Sequence, residues 1–237
     1  MPVSFVRRRI PLWALACCLA AALAWPAAAA DPAAPAPATA AAPDWVRHPD
    51  QPFSITATEV TVGQFRGCVE AGACDAATAN EACNLGHEER ADHPLNCVAY
   101  YGAEQYCGHV GGRVCTEDEW LAACKGSEGR AFPYGQSYDA EACNARSSAA
   151  VVAGELTGTA AVKSHAGCEG GLAGLYDMAG NVAEWVDSCK DSYCRFRGAG
   201  HRSNEPVERF AGCAGVCSGN DKSLQSSVVG IRCCRDE

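Results

Sequence analysis

Apolar residues recur at helical spacing in a short segment that follows Thr61. Val62, Phe65 and Val69 lie three and four residues apart, which places them on one face of an α-helix. The hydroxyl of Thr61 is available as the N-cap, and Gly72 is suited to end the helix. The pattern therefore predicts a short amphipathic helix between these two residues.

A second helical pattern lies in the sequence YYGAEQYCGHVGG, residues 100–112. The spacing places four apolar residues on one face: Ala103, Tyr106, Cys107 and Val110. Gly111 and Gly112 follow directly, and glycine is the residue that most often ends a helix, because it adopts a left-handed conformation without a steric cost. The pattern predicts a helix that stops at this glycine pair.

The sequence TEDEWLAACKG, residues 116–126, carries a capping box. The hydroxyl of Thr116 can accept the amide proton of Glu119, and the carboxylate of Glu119 can reach back to the amide of Thr116. Trp120, Leu121 and Cys124 then supply an apolar stripe. A third short helix is expected here.

The chain beyond Gly126 is rich in glycine and carries few alternating runs of apolar and polar residues. The sequence GIRCC, residues 230–234, is the best short strand candidate. Three helices followed by irregular sequence predict an α+β fold with little regular secondary structure. Disulfide bonds are expected to hold its loops.

The first 43 residues differ in composition from the rest of the chain. Residues 1–30 combine three arginines, an apolar run and a small-residue stretch before Asp31, as in a secretory signal peptide. An uncleaved membrane anchor is the alternative interpretation of this apolar run. Residues 31–43 contain almost only alanine and proline, which predicts an extended disordered linker. Residues 44–237 then form one domain, and the protein is expected to be exported to the periplasm, the cell envelope or the extracellular space.

Charge and cysteine content narrow the class of protein. Without residues 1–30 the chain carries 16 basic and 28 acidic residues, a net charge of −12, which argues against a nucleic-acid partner. Of the 17 cysteines, 15 follow residue 30. This density predicts a disulfide framework formed in an oxidising compartment. Because the number is odd, at least one cysteine is expected to be free, intermolecular or chemically special.

Sequence proximity suggests four of the disulfide pairs, although geometry rather than spacing decides which bonds form. The suggested pairs are Cys68 with Cys74, Cys83 with Cys97, Cys189 with Cys194, and Cys213 with Cys217.

Six motifs between Glu59 and Arg235 resemble, in the same order, the formylglycine-generating enzyme or sulfatase-modifying factor family. They are EVTVGQF, HPLNCVAYYGAEQYC, GGRVCTEDEW, FPYG, GLYDMAGNVAEW and GIRCC. The resemblance implies a single C-type-lectin-like domain. The founding members of the family that it resembles are oxidases, which convert a sulfatase cysteine to formylglycine with copper and O2.

The resemblance further implies a calcium site in GLYDMAGNVAEW. The family's ligands fall on Asp177, Gly180, Val182 and Glu184. This set suits the ion, because calcium prefers several oxygen ligands, which the two carboxylates and two backbone carbonyls would supply. If no calcium binds, the two acids simply cap turns.

A second calcium site of the family would begin at Asn144 and Ala145. Its remaining acidic ligand is not matched, because Gly154 stands where an acid is expected and Glu155 is the nearest one.

Two alignments compete for the position of the copper-binding thiolates of the family. An ungapped alignment up to GIRC places Asn204 and Arg209 there, which would remove the copper site. A second alignment uses Cys189 and Cys194 in CKDSYC, whose spacing matches the family's pair. It requires a deletion before that segment.

The sequence therefore supports two hypotheses. The first is an exported calcium-binding domain that has lost the copper thiolates and acts in recognition of a protein, peptide or glycan. The alternative is a formylglycine-generating oxidase that uses Cys189 and Cys194 with copper and O2. A membrane is expected as a partner only if residues 1–30 are retained.

Overall fold

The protein was examined as a computed structural model, which describes residues 41–145, 158–201, 207–215 and 219–237. The predicted signal peptide and all but the last three residues of the predicted linker lie outside these ranges. The remaining linker residues, 41–43, carry no regular secondary structure.

All three predicted helices are confirmed, and their bounds follow the predicted caps. The helices are α1 Val62–Glu70, α2 Tyr100–His109, α3 Glu117–Lys125 and the short α4 Val207–Phe210. Helix α1 begins with a capping box as well, since the Gln64 amide donates to Thr61 Oγ1 at 3.2 Å and Gln64 Oε1 accepts from the Thr61 amide at 3.0 Å. The capping box predicted between Thr116 and Glu119 begins α3.

The described strands form two four-stranded sheets. The strands are β1 Trp45–Arg47, β2 Phe53–Thr56, β3 Arg113–Val114, β4 Ala183–Lys190, β5 Tyr193–Arg197, β6 Gly219–Asp221, β7 Val229–Gly230 and β8 Cys233–Asp236. The first sheet has the order β1–β2–β8–β3 and is antiparallel throughout. The second has the order β6–β5–β4–β7, in which only β4 and β7 are parallel. The predicted strand at GIRCC thus corresponds to parts of β7 and β8.

The longest strand, β4, is not apparent from the sequence pattern. Its first four residues, Ala183 to Val186, are all buried, so apolar and polar residues do not alternate there. Trp185 points into a core cluster with Tyr106, whereas Val186 points into a second cluster with Trp120. Strand β4 therefore separates the two main cores and carries side chains into both.

Seven disulfides join all fourteen described cysteines. Three of the proposed pairs are confirmed: Cys68–Cys74, Cys83–Cys97 and Cys189–Cys194. The other four are Cys107–Cys233, Cys115–Cys234, Cys124–Cys213 and Cys143–Cys168.

The proposed pair of Cys213 with Cys217 is wrong. Helix α3 brings Cys124 to Cys213 in the second core cluster, 89 residues away in sequence, and the two form a disulfide. Spatial proximity created by the helix outweighs the four-residue spacing that suggested Cys217. Cys217 itself lies outside the described ranges.

This number of disulfides is typical of proteins that fold in an oxidising compartment, and it fits an exported or cell-envelope protein. None of the helices in the part of the chain that the structure covers has the length and hydropathy needed to cross a bilayer.

Candidate functional site

The turn between Asp177 and Val182 places the predicted calcium ligands in an unusual backbone conformation. Asp177, Gly180 and Asn181 have φ angles of 58°, 85° and 55°, all in the left-handed region. Gly180 is required for a second reason, because a Cβ atom there would lie 2.7 Å from the carbonyl oxygen of Asn144. The turn is therefore specified both by its backbone angles and by its close contact with Asn144.

The two predicted calcium segments meet at this turn. The Asn181 amide donates to the Asn144 carbonyl at 2.8 Å, and Ala145 lies in the same contact with Gly180. Because the Asn144 carbonyl accepts this hydrogen bond, part of its oxygen's capacity is already used. The unmatched acid of the second site, sought at Gly154 or Glu155, lies outside the described residues.

Asn181 holds three segments together and was not singled out from the sequence. Its Oδ1 accepts from the Ala160 amide at 2.9 Å and from Asn144 Nδ2 at 3.2 Å. Its Nδ2 donates to the Ala160 carbonyl and to Glu59 Oε2, each at 3.2 Å. An asparagine is suited to this position because it tolerates positive φ angles and offers both a donor and an acceptor.

Three of the four predicted calcium ligands have oxygen atoms with spare hydrogen-bonding capacity. Asp177 Oδ2 accepts from the Lys163 amide at 2.8 Å, which leaves Oδ1. No donor among the described residues reaches the carbonyl oxygens of Gly180 or Val182. One carboxylate oxygen and two carbonyl oxygens of this turn are therefore the atoms that could hold a hard cation.

Glu184, the fourth predicted ligand, is already bound by two protein donors. Its Oε1 accepts from Arg232 Nε at 2.8 Å, and its Oε2 accepts from Trp120 Nε1 at 2.5 Å. The guanidinium also donates to the carbonyls of Thr56 and Tyr176, so Arg232 is fixed in place although it is fully buried. Each carboxylate oxygen of Glu184 already accepts one hydrogen bond, so a calcium ion bound there would compete with Arg232 and Trp120 for this carboxylate.

Glu59 is a third buried carboxylate in this region, and sequence reasoning missed it. It lies in the motif EVTVGQF and accepts from the Val182 amide at 3.1 Å and from Asn181 Nδ2. Burial raises the pKa of Glu59 well above its ordinary value, and the neighbouring charges of Asp177 and Glu184 raise it further. Glu59 precedes the predicted N-cap Thr61 by two residues, and glutamate is rarely buried, so the sequence offered no signal of its burial.

The cluster of Glu59, Asp177, Glu184 and Arg232 has an excess of negative charge. Burial raises the pKa of Asp177 and of Glu184 as well, while Arg232 opposes both shifts. Three carboxylates face one guanidinium, so the cluster favours additional positive charge, either protons or a cation. Among the described side chains, no three acidic, histidine or cysteine residues converge as a metal site, so a cation would depend on backbone carbonyls.

The predicted alternative catalytic cysteines form a disulfide between β4 and β5. Cys189 and Cys194 are directly opposite each other in the hairpin register, with Cys194 buried and Cys189 exposed. Of the two positions in the competing alignment, Arg209 is an exposed residue of α4, and Asn204 lies outside the described residues. The described part of the chain therefore contains no free thiol that could bind copper, because each of its cysteines is bonded to another.

A comparison with protein families finds a match to the sulfatase-modifying factor enzyme 1-like domain over residues 30–237. The chain belongs to this family. The match covers the helices, both sheets and the turn from Asp177 to Val182, so it confirms the resemblance first seen in the six motifs.

Solved structures share the fold of this sulfatase-modifying factor domain. CarF has a TM-score of 0.61 at 20% identity, with 78% of this chain and 86% of CarF covered. PvdO from Pseudomonas aeruginosa has a TM-score of 0.58 at 21% identity, with 82% and 91% covered. Treponema denticola variable protein 1 has a TM-score of 0.58 at 17% identity, with 84% and 93% covered. At these identities the likeness shows the fold alone.

Curated relatives are longer proteins that contain a similar segment. The serine/threonine-protein kinase Pkn1 of Chlamydia trachomatis is 31% identical over 166 residues, which cover 62% of this chain and 25% of the relative. The corresponding protein of Chlamydia caviae is 39% identical over 104 residues, which cover 44% and 14%. The match thus covers a quarter or less of the length of these relatives.

Proposed function

We propose that this sulfatase-modifying factor domain is a calcium-binding recognition module that lacks copper-thiolate oxidase chemistry. The observation that carries the proposal is the disulfide between Cys189 and Cys194. Binding of Cu(I) in the oxidases of the family requires two thiolates, because soft thiolate sulfur is the ligand that this ion prefers. A disulfide sulfur carries no negative charge and does not replace a thiolate.

The surroundings of the disulfide also support a structural role for the bond. Cys194 packs in the first core cluster with Trp185. From the disulfide, the pairing of β4 with β5 continues past a bulge to Glu184 and Arg197. The hairpin therefore uses the disulfide to hold the outer end of the second sheet. The irregular loops that connect the short elements then remain as the surface available for a protein, peptide or glycan ligand.

The absence of oxidase activity is the first testable prediction. Alkylation of the native protein followed by peptide mass spectrometry is expected to find Cys189 and Cys194 bonded to each other. The purified protein is expected to leave a Cys-x-Pro-x-Arg peptide unoxidised in the presence of copper and O2. Formation of formylglycine in that peptide, abolished by Cys194→Ser, would show that the domain is an oxidase.

A formylglycine-generating oxidase remains the second candidate because of one observation. The sulfur atoms of Cys189 and Cys194 are adjacent, so reduction of this single bond would produce two neighbouring thiols with the spacing of the family's pair. The same peptide assay after mild reduction tests this candidate directly.

The charge of the buried cluster supports the calcium part of the proposal. Asp177, Gly180 and Val182 are the residues that would hold the ion, and the cation would offset the excess charge of the three carboxylates. Such an ion would join the Asp177 carboxylate to the carbonyls of Gly180 and Val182 and thereby stabilise the folded conformation of the turn.

Calcium removal is expected to lower the melting temperature at pH 7. A native-state ligand at about 100 times its dissociation constant contributes about 2.7 kcal/mol, which corresponds to about 5–10 °C for a domain of this size. Differential scanning fluorimetry with and without a chelator measures this shift.

The shift is expected to depend on pH with a definite sign. In the absence of calcium, Glu59 and Glu184 have a higher pKa in the folded state than the ordinary value of 4.5. Their protonation therefore favours the folded state at pH values below 4.5, and this contribution to stability is lost as the pH rises through the raised pKa. The stabilisation by calcium is therefore expected to be largest at neutral pH, and the decrease in melting temperature caused by a chelator is expected to become smaller towards pH 5.

A pair of variants tests the proposed ligand Asp177. Asp177→Asn is expected to reduce the decrease in melting temperature caused by the chelator, whereas the exposed control Asp118→Asn retains it. An equal change in melting temperature in both variants would contradict the proposed calcium site at Asp177.

A further inference from the structure

A cavity of about 140 Å³ opens at the surface between α1 and α2, and no residue of the turn between Asp177 and Val182 lines it. The volume is close to that of a cavity of about 150 Å³ that holds one benzene-sized group. The cavity thus has room for a single side chain. Its walls are formed by Phe65, Asp75, Ala76, Ala77, Val98, Ala99, Tyr101, Gly102, Gln105 and Gln225.

The apolar part of this cavity ends at an exposed aromatic ring. Tyr101 is 54% exposed although its neighbour Tyr100 is buried in the first core cluster. Helix α2 therefore presents one ring to the interior and the next to solvent at the edge of the cavity. Partly exposed tyrosines of this kind are enriched at binding surfaces because one side is apolar and the other is hydrated.

The polar groups of the cavity are held in place by one another. The Asp75 amide donates to Gln105 Oε1 at 3.0 Å, and Gln105 Nε2 donates to Asp75 Oδ2 at 2.8 Å. Thr78 Oγ1 donates to Oε1 of Gln225, another residue that lines the cavity. These contacts orient the Asp75 carboxylate and leave its Oδ1 without a donor from the described part of the protein.

The charges of the cavity favour a cationic occupant. Asp75 is the one charged residue among the lining residues, and it carries a negative charge. The whole chain has a net charge of −9, which further favours the approach of a basic partner.

We propose that this cavity binds an arginine side chain of a protein partner. The planar guanidinium would stack against Tyr101 and donate to the Asp75 carboxylate, while its methylene groups contact Val98 and Ala77. Arginine fits better than lysine because only its guanidinium can stack on a ring and donate a hydrogen bond in the same plane. The proposal rests on the proposed recognition role and specifies its ligand class.

The test titrates the full, oxidised chain with a short acetylated Gly-Arg-Gly amide and follows backbone amide signals by NMR. Binding is expected to shift the signals of residues around the cavity, Asp75, Tyr101 and Gln105 among them. A peptide with citrulline in place of arginine has nearly the same shape without the charge and is expected to bind at least about threefold more weakly.

Paired variants separate the cavity from the rest of the surface. Asp75→Asn and Tyr101→Ala are each expected to raise the dissociation constant about threefold, the effect of losing an exposed charge pair or cation–π contact. Tyr193→Ala removes the other exposed tyrosine, which is 49% exposed and does not line the cavity, and Asp118→Asn removes a distant exposed charge. Both controls are expected to bind as the wild type does.

Equal binding of the citrulline peptide, or shifts that map elsewhere and survive Asp75→Asn, would overturn the arginine site. Neither result would bear on the recognition role itself. That role fails instead if the chain oxidises the cysteine peptide, which is a separate measurement.

Discussion

Arg232→Met is expected to lower the free energy of unfolding by about 3–5 kcal/mol, as measured by chemical denaturation with the disulfides intact. The substitution keeps the volume of the side chain but removes the positive charge that faces Glu184. Glu184, Glu59 and Asp177 would then be buried together without the guanidinium, and burial of an unpaired charge is among the most destabilising changes known in proteins. The carbonyls of Thr56 and Tyr176 would also lose their donor.

A second substitution tests whether the loss arises from charge. Glu184→Gln in the Arg232→Met background removes the unpaired negative charge and is expected to recover part of the stability. Arg195→Met is the matched control, because Arg195 is an exposed arginine paired with Glu117 at 3.3 Å and such pairs contribute at most about 1 kcal/mol. If Arg232→Met costs no more than this control, the buried cluster does not stabilise the fold as described.

Joint removal of the Cys107–Cys233 and Cys115–Cys234 disulfides, by substitution of all four cysteines with alanine, is expected to destabilise the domain by about 6 kcal/mol. The two bonds join the same two segments of the chain, so either bond alone keeps these segments together in the unfolded state, and the large gain in unfolded-state entropy requires the loss of both. A loss of this size is comparable to the whole stability of many domains, so the variant is expected to be partly unfolded at 37 °C.

Removal of the Cys189–Cys194 disulfide by double substitution to alanine provides the comparison. This bond closes a loop with a separation of 5 residues, so the expected loss is only about 2 kcal/mol. Denaturation of both variants under oxidising conditions measures the difference. An equal loss in the two variants would mean that loop entropy does not determine how these disulfides contribute.

Local features of the fold could be predicted from the sequence. The caps at Thr61 and Thr116 and the glycines after α2 act within one turn of the chain, so their effect is visible in a short window. The family resemblance came from the same kind of local motif. The disulfide pairs Cys68–Cys74 and Cys83–Cys97 were found because they are close in sequence.

Features that depend on distant contacts could not be predicted. Strand β4 is buried on both faces by clusters built from separate parts of the chain, so its sequence does not alternate. Cys124 was not connected with Cys213 because only the packing of α3 brings the two together. Glu59 and Asn181, which contact each other across 122 residues, were missed for the same reason.

Two consecutive residues of β8 have a consequence for the order in which the domain can be completed. Because neighbouring residues of a strand point to opposite faces, Cys233 bonds to Cys107 in the first core cluster and Cys234 reaches Cys115 in the second. Strand β8 also lies between β2 and β3 in its sheet, so neither neighbour has a partner on that side until β8 arrives. Before residues 233–236 are synthesised, the preceding residues of the domain, 44–232, therefore cannot close either core cluster with β8. Late synthesis of this one strand would thus delay closure of the two longest disulfide loops among the described residues until almost the whole domain has been made.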